Sequence, residues 1–192
     1  MTKKFTVLLL CVFFHTSFCR NRLNCPAFYG VKNVNMTSLV GKWYEIEKVK
    51  TPFEGLFFAC TKLELSLPND FHATGQKTLI ANKTGTDGHQ YESLIGTLRQ
   101  SHQSKGEMHL RLTRRLRKTY NVKLVMFDEN QYAVFYGCAK LQGPDNEYLF
   151  IYSREKTLPF EVLRQLNKNL RYMGVKMSSL IMVDQYNCTI QK

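Results

Sequence analysis

No stretch of this chain is apolar for long enough to cross a bilayer as a helix. Spanning takes about 20 residues, and the longest candidate, 5–14, has ten. Acid is also scarce: 15 Asp and Glu stand against 27 Lys and Arg, for a formal net charge of +12. There is no Gly-x-Ser-x-Gly, no His-Glu-x-x-His, no Walker loop and no dinucleotide glycine pattern. Hydrolytic, zinc-protease and nucleotide chemistry therefore have nothing in the sequence to carry them. The five histidines form no metal or catalytic pattern, and without a close cysteine pair the usual zinc spacing is missing. No metal or cofactor is expected. Nucleic-acid recognition signatures are lacking too. The basic balance points instead to anionic ligands, anionic membrane surfaces or sulfated polysaccharide. Internal repeats, low-complexity runs and Pro/Ser-rich linkers are absent, which leaves one domain.

What the N-terminus does hold is a targeting signal. Lys3 and Lys4 supply its positive start, 5–14 its apolar core, and Ser17-Phe18-Cys19 a small-x-small cleavage site. The expected layout is a signal peptide at 1–19 and a single secreted domain at 20–192. Loss of Lys3 and Lys4 lowers the net charge from +12 to +10. Cys11 and Cys19 leave with the signal, and Cys25, Cys60, Cys138 and Cys188 remain. An even number in an oxidising compartment predicts two disulfides, and spacing alone leaves three pairings open.

Between Lys42 and Glu155 the chain breaks into eight short runs rich in β-branched, aromatic and leucine residues: 43–49, 61–67, 78–82, 91–99, 107–114, 120–127, 132–140 and 147–154. Several alternate with the period of a half-buried strand. Leu63, Leu65 and Leu67 alternate with Glu64 and Ser66, Leu110 and Leu112 with His109 and Arg111, and Val122 and Leu124 with Asn121 and Lys123. Turns are marked at Pro68-Asn69-Asp70, Thr86-Asp87-Gly88, Asp128-Glu129-Asn130 and Gly143-Pro144-Asp145-Asn146. Short connections suit antiparallel neighbours, and eight such strands can close a barrel around one small ligand. A helix follows, with Thr157 as N-cap and Pro159 in its first turn. Its apolar stripe is Val162, Leu163, Leu166, Leu170 and Met173, Lys168 and Arg171 suit its last turn, and Gly174 stops it. A short strand at 180–183 then leads to Cys188.

Gly41-Lys42-Trp43-Tyr44-Glu45-Ile46 opens the series and holds the single tryptophan, while Phe127-Asp128-Glu129 and Tyr152-Ser153-Arg154-Glu155 stand near its end. With the four cysteines, these residues resemble the motifs of the lipocalin family, in particular the branch of apolipoprotein D, insect Lazarillo-type proteins and bilin-binding proteins. The second motif (Thr-Asp-Tyr in the family) survives as Asp128 alone. The resemblance covers essentially the whole mature chain. It implies an all-β fold: an eight-stranded antiparallel up-and-down β-barrel with one C-terminal α-helix packed outside and a short ninth strand. It also implies the pairing Cys25–Cys138 and Cys60–Cys188, each worth roughly 4–5 kcal/mol in the chain-entropy model. Gly41, Trp43 and Arg154 become a structural barrel floor, the guanidinium covering the indole for about 0.5–2 kcal/mol.

On this plan Leu63, Leu65, Leu94, Leu98, Val122, Leu124, Met126, Phe150 and Tyr152 face inward as a ligand-binding wall, and Tyr132 and Tyr136 add polar ends. The mouth takes Phe57 and Phe58 from the first loop and Arg114, Arg115, Arg117 and Lys118 from the hairpin at 114–118. All four mature cysteines are used by the implied pairing, so no free thiol is left for isomerase-type catalysis, and no enzyme is expected. The function implied is a secreted carrier of a fatty acid, lysolipid, retinoid, sterol-like molecule or bilin. The alternative is an interaction protein whose basic, apolar mouth binds anionic membrane, glycosaminoglycan or a cell-surface receptor. Asn35-Met36-Thr37 and Asn82-Lys83-Thr84 are glycosylation sequons, and Asn187-Cys188-Thr189 is a weaker one because its middle residue is a disulfide candidate.

Overall fold

A computed structural model describes residues 28–49, 59–69, 78–86, 91–101, 106–112, 119–138, 147–186 and 188. Eight strands follow one another: β1 (Gly41–Val49), β2 (Ala59–Ser66), β3 (Thr78–Thr86), β4 (Tyr91–Gln100), β5 (Glu107–Leu112), β6 (Thr119–Asp128), β7 (Tyr132–Cys138) and β8 (Glu147–Ser153). Each pairs antiparallel with its sequence neighbour, and β8 returns to β1 while β1 also pairs with β2, so the eight-stranded sheet closes on itself. A ninth strand, β9 (Leu180–Met182), pairs with Glu47–Val49 of β1 on the outside. The helix α1 (Phe160–Tyr172) packs against the barrel wall. This is the all-β barrel the alternation predicts.

β1 holds the assembly together by changing partners along its length. Its first half, Gly41 to Tyr44, pairs with Leu65 to Lys62 of β2. Beyond that point the two strands part and β9 takes the vacated edge. The seam is sewn by Val183 N–H donating to the Ile46 carbonyl at 2.9 Å and Cys60 N–H to the Asp184 carbonyl at 2.6 Å. The Gln185 amide donates across it to the Glu45 and Thr61 carbonyls, at 2.8 and 2.9 Å. The Cys60–Cys188 disulfide closes the same seam covalently. Cys138 is also disulfide-bonded; Cys25, its implied partner, lies outside the described residues.

Two apolar clusters result. One fills the barrel, with Trp43, Leu63, Leu65, Leu98, Val122, Phe135 and Phe150 among its members. The other lies between the barrel wall and α1 and includes Val125, Val134, Tyr136, Leu149, Leu166 and Leu170. The helix ends as its glycine requires. Gly174 adopts φ +94°, Val175 N–H reaches back to the Leu170 carbonyl and Gly174 N–H to that of Arg171, both at 3.0 Å. This is the double hydrogen bond of a Schellman stop, with Val175 and Leu170 buried in the same cluster. At the other end Pro159 itself holds the capping position without a side-chain bond. Thr157 is not the cap; its carbonyl accepts from Ser153 Oγ. Val162, Leu163, Leu166 and Leu170 do face the barrel, while Met173 flanks the last turn and is exposed.

Three residues expected inside face α1 instead, one of them because of a bulge. In β6 the register slips between Leu124 and Met126. Leu124 and Phe127 belong with the interior, but Val125 and Met126 point to α1, where Met126 Sδ lies 3.9 Å from Asn169 Nδ2. Counting by twos from Val122 carries Met126 inward, and the extra residue reverses it. Tyr132 and Tyr136 also lie on the helix side, opposite in parity to Ala133 and Phe135. Tyr136 stacks on Phe28 with ring centroids 3.6 Å apart. With α1 covering its outer face, β7 is apolar on both sides, so alternation there carries no signal. The third strand is longer than the run at 78–82, since Lys83 faces into the barrel and finds a partner there.

A second slip lies in β1, between Glu45 and Glu47. Glu45, two residues after Trp43, faces inward by parity, and the slip beyond it brings Lys48 inward and turns Glu47 outward under α1. Glu47 is 7% exposed, and among the described residues its only side-chain partner is Asn167 Nδ2 at 3.5 Å. Burial pushes its carboxyl above the usual range, against the Asn167 hydrogen bond. A raised folded-state pKa means that the fold favours protonated Glu47. Its contribution is present below the unfolded carboxylate value and lost as pH rises through the folded one. Glu47→Gln is therefore expected to raise unfolding stability at pH 7 by about 1–3 kcal/mol and to change it little at pH 4. Urea midpoints of both proteins at the two pH values check this, and an equal gain at both would contradict it.

Candidate functional site: the barrel interior

The closed end of the barrel is built around one side chain. Arg154 stands with its guanidinium carbon 3.6 Å from the Trp43 ring centroid. Its fork donates to four carbonyls: Ser38 at 2.8 Å, Glu129 at 2.9 Å, Val40 at 3.0 Å and Lys42 at 3.4 Å. Those carbonyls belong to the approach into β1 and to the β6–β7 turn, so a single planar donor ties the two together. Trp43 is fully buried, and its Nε1–H donates to the Leu39 carbonyl at 2.8 Å. Leu39 ends a 3-10 turn, Met36–Leu39, whose Met36 and Leu39 side chains plug the barrel. Gly41 adopts φ +112°, and a Cβ there would sit 3.0 Å from Arg154 Nη1. Both the backbone angle and the close approach call for glycine.

Above this floor lies an apolar cavity of about 40 Å³. Of the residues expected in the wall, Leu63, Leu65, Leu98, Val122, Phe150 and Tyr152 line it. Leu94 and Leu124 are in the same buried interior cluster without lining the cavity, and Met126, Tyr132 and Tyr136 are outside. Ala81, Lys83, Leu110 and Phe135 complete the lining and escaped the sequence reading. Phe135 lies on the strand that is apolar on both faces. Ala81 and Lys83 follow Leu79 by twos, so the parity of β3 was a usable signal, but a lysine on an inward position reads as an error until its counter-charge is found. Phe57, Phe58, Arg114, Arg115, Arg117 and Lys118 lie outside the described residues.

That counter-charge is Glu45, which is 0% exposed. Lys83 Nζ lies 2.7 Å from its Oε1 and Lys48 Nζ 3.2 Å from its Oε2. Lys83 Nζ also stands 4.6 Å from the centroid of the Phe150 ring. Burial raises the Glu45 pKa, but the Lys83 and Lys48 charges outweigh it and hold the carboxyl below its ordinary value. With the folded pKa lowered, the stability Glu45 contributes is present at neutral pH and lost as pH falls through that value. Beside it on the seam, Thr61 Oγ1 and Gln185 Oε1 are buried with no hydrogen-bond partner among the described residues.

Other residues singled out by the sequence lie on the outside. Asn35 is exposed and caps the 3-10 turn, its Oδ1 accepting from Thr37 N–H at 3.1 Å and Thr37 Oγ1 at 2.9 Å. Asn82 is half-buried in mid-β3, opposite Glu64 and Ile95, and accepts from Ser93 Oγ at 3.0 Å. Among the described residues no cluster of His, Cys, Asp and Glu could hold a metal ion, and no helix is long and apolar enough to cross a membrane.

The floor geometry carries a direct expectation. Arg154→Lys keeps the charge but cannot reach four carbonyls from one plane, so unfolding stability is expected to fall by about 1–3 kcal/mol. Urea unfolding followed by the fluorescence of the single tryptophan reads it. An unchanged midpoint would show that charge alone holds the floor.

The sequence matches the lipocalin / cytosolic fatty-acid binding protein family over residues 40–187. A search of curated proteins by sequence returns no match. Solved structures resemble the fold closely. Insecticyanin from the tobacco hornworm Manduca sexta aligns with a TM-score of 0.67 at 20% identity, covering 84% of this chain and 86% of that one. Lobster apocrustacyanin A1 aligns at 0.66 and 18%, covering 79% of each chain. The cockroach allergen Per a 4 aligns at 0.65 and 18%, covering 86% of this chain and 97% of that one. With a closed eight-stranded barrel, an arginine-capped tryptophan at its floor, a helix on its flank and a family match over most of its length, this chain belongs to the lipocalin family.

Proposed function

We propose that this protein is a secreted carrier that buries a small hydrophobic or amphiphilic molecule inside the barrel. The observation that carries this is the cavity above the Trp43–Arg154 floor, lined by apolar side chains apart from Lys83 and the Tyr152 hydroxyl. A family named for both lipocalins and fatty-acid binding proteins is consistent with it. Transfer of apolar ligand surface out of water supplies the affinity, at about 25 cal/mol per Å². The cavity in this state has room for a few waters, whereas drug-sized ligands occupy roughly 300–1,000 Å³. Uptake therefore requires wall side chains such as Phe150, Tyr152 and Lys83 to move aside.

Secretion is supported by the disulfides at Cys60–Cys188 and Cys138, which belong to an oxidising compartment. Their use in bridges also removes these sulfurs as nucleophiles, in keeping with a carrier rather than an enzyme. The exposed Asn35 is the better placed of the two described sequons to carry a glycan. Placement near apolipoprotein D, Lazarillo-type and bilin-binding proteins rests on Gly41, Trp43, Arg154 and the cysteine pairing. Among ligands, fatty acids, lysolipids, retinoids, sterol-like molecules and bilins all suit an apolar cup. A membrane, glycosaminoglycan or receptor partner would engage the mouth residues, while the described geometry favours the interior.

Native mass spectrometry of the secreted protein against a panel of small lipids and tetrapyrroles tests the reading. The expected result is one bound molecule per chain, lost in Phe150→Arg while circular dichroism still reports the barrel. Uptake that survives Phe150→Arg, or a wild-type protein that stays empty against the whole panel, overturns it.

A further inference from the structure

Helix α1 is matched to the barrel on one side and carries an unusual row of residues on the other. Val162, Leu163, Leu166 and Leu170 pack on the wall, and burial of these side chains holds the helix in place. Phe160, Arg164, Lys168 and Tyr172 recur at every fourth position, with Arg171 one turn beyond Lys168, so all five lie along the outward side. All five are exposed, Phe160 to 74% and Tyr172 to 78%. The row is about 18 Å long at the helical rise and sets three cations between two aromatic rings. Met173, just past the helix, adds another exposed apolar side chain.

The protein does not balance the charge on this row. Glu161 is the one acid of the helix, and Arg164 takes it, with Nε at 2.8 Å and Nη2 at 2.7 Å from Oε2. Lys168 Nζ stands 6.0 Å from the centroid of the Tyr172 ring. Among the described residues neither Lys168 nor Arg171 has a carboxylate partner. Like charges three and four residues apart repel, so Arg164, Lys168 and Arg171 work against the helix that carries them. The helix dipole favours a cation in the last turn and offsets part of this for Arg171. It gives no reason for a phenylalanine and a tyrosine to stand in water at the two ends of the row.

We propose that this face of α1 docks the protein on an anionic lipid surface, with Lys168 and Arg171 among the headgroups and the Phe160 and Tyr172 rings at their boundary with the acyl chains. Each cation near such a surface gains from its potential, about fivefold in partition. Aromatic rings belong at that boundary, where one side is apolar and the other wet. A sulfated polysaccharide would answer the cations but offers the rings nothing apolar, so the two aromatic ends decide for lipid. The face lies on the helix and outside the cavity. The proposal therefore goes beyond the carrier reading and stands without it; together, the two bring a carrier to the place where molecules of low water solubility collect.

Sedimentation of the secreted protein with vesicles tests this, using phosphatidylcholine alone or with about one-third phosphatidylserine at about 0.1 M salt. Wild-type protein is expected to partition at least about tenfold more strongly onto the anionic vesicles, and high salt to remove most of the difference. Lys168→Gln/Arg171→Gln is expected to weaken that binding about twentyfold. Lys32→Gln/Arg111→Gln removes the same charge from exposed positions off the helix and is expected to change it little. Phe160→Trp adds a reporter, expected to be quenched by acyl-brominated lipid while the buried Trp43 of the wild type is not. All the substituted side chains are exposed, and circular dichroism checks that the barrel is kept. Equal partition of the wild type onto both kinds of vesicle overturns the proposal. So does an equal loss in the two paired variants, which would leave net charge alone at work, or unchanged binding in Lys168→Gln/Arg171→Gln. Heparin binding with no quenching of Phe160→Trp overturns it in favour of a polyanion. None of these outcomes touches the ligand panel, which tests the carrier reading separately.

Discussion

A sheet that closes on itself must give its first strand two partners, and β1 here has three: β8 along one edge, and β2 then β9 along the other. The rest of the molecule depends on that divided edge. Where β1 pairs with β2, the barrel is tight and Trp43 sits at its closed end. Where the two part, β9 and Gln185 bridge the gap and the Cys60–Cys188 disulfide secures it. The bulge in the same stretch brings Lys48 to Glu45 inside the barrel and aims Glu47 at the helix. One local irregularity thus positions the interior charge, the helix contact and the C-terminal segment together.

The two carboxylates make the same physical point from opposite sides. Both are buried, and burial raises the pKa of each. Glu45 has two ammonium groups to reverse that effect, and Glu47 has one amide. Neighbouring acids on one strand therefore pull the stability of the fold in opposite directions as pH changes. Neither is an efficient way to stabilise a barrel, and the one inside is bonded to Lys83, which lines the cavity.

The floor is the opposite case. A guanidinium over an indole, with four carbonyl acceptors, holds a half-buried cation against backbone groups of two separate segments. It joins the start of β1 to the β6–β7 turn across most of the chain length.

The strands with one wet face were legible in the sequence because alternation there is a direct record of burial: Leu63 and Leu65 on β2, and Val122 and Leu124 on β6, face inward as their spacing requires. The helix, its glycine stop and the Gly41–Trp43 floor were legible too, since each rests on a local residue requirement. The three-dimensional structure alone decided Met126, because a bulge is an insertion in the pairing and leaves no mark in composition. It alone decided Tyr132, Tyr136 and Phe135, because a strand buried on both faces has no polar side to betray its orientation. And it alone decided Lys83, whose inward place became acceptable only when folding brought Glu45, 38 residues earlier, within 2.7 Å of its ammonium. Patterns against water are written residue by residue; pairings between distant residues are not, and the Lys83–Glu45 pair inside this barrel is one of them.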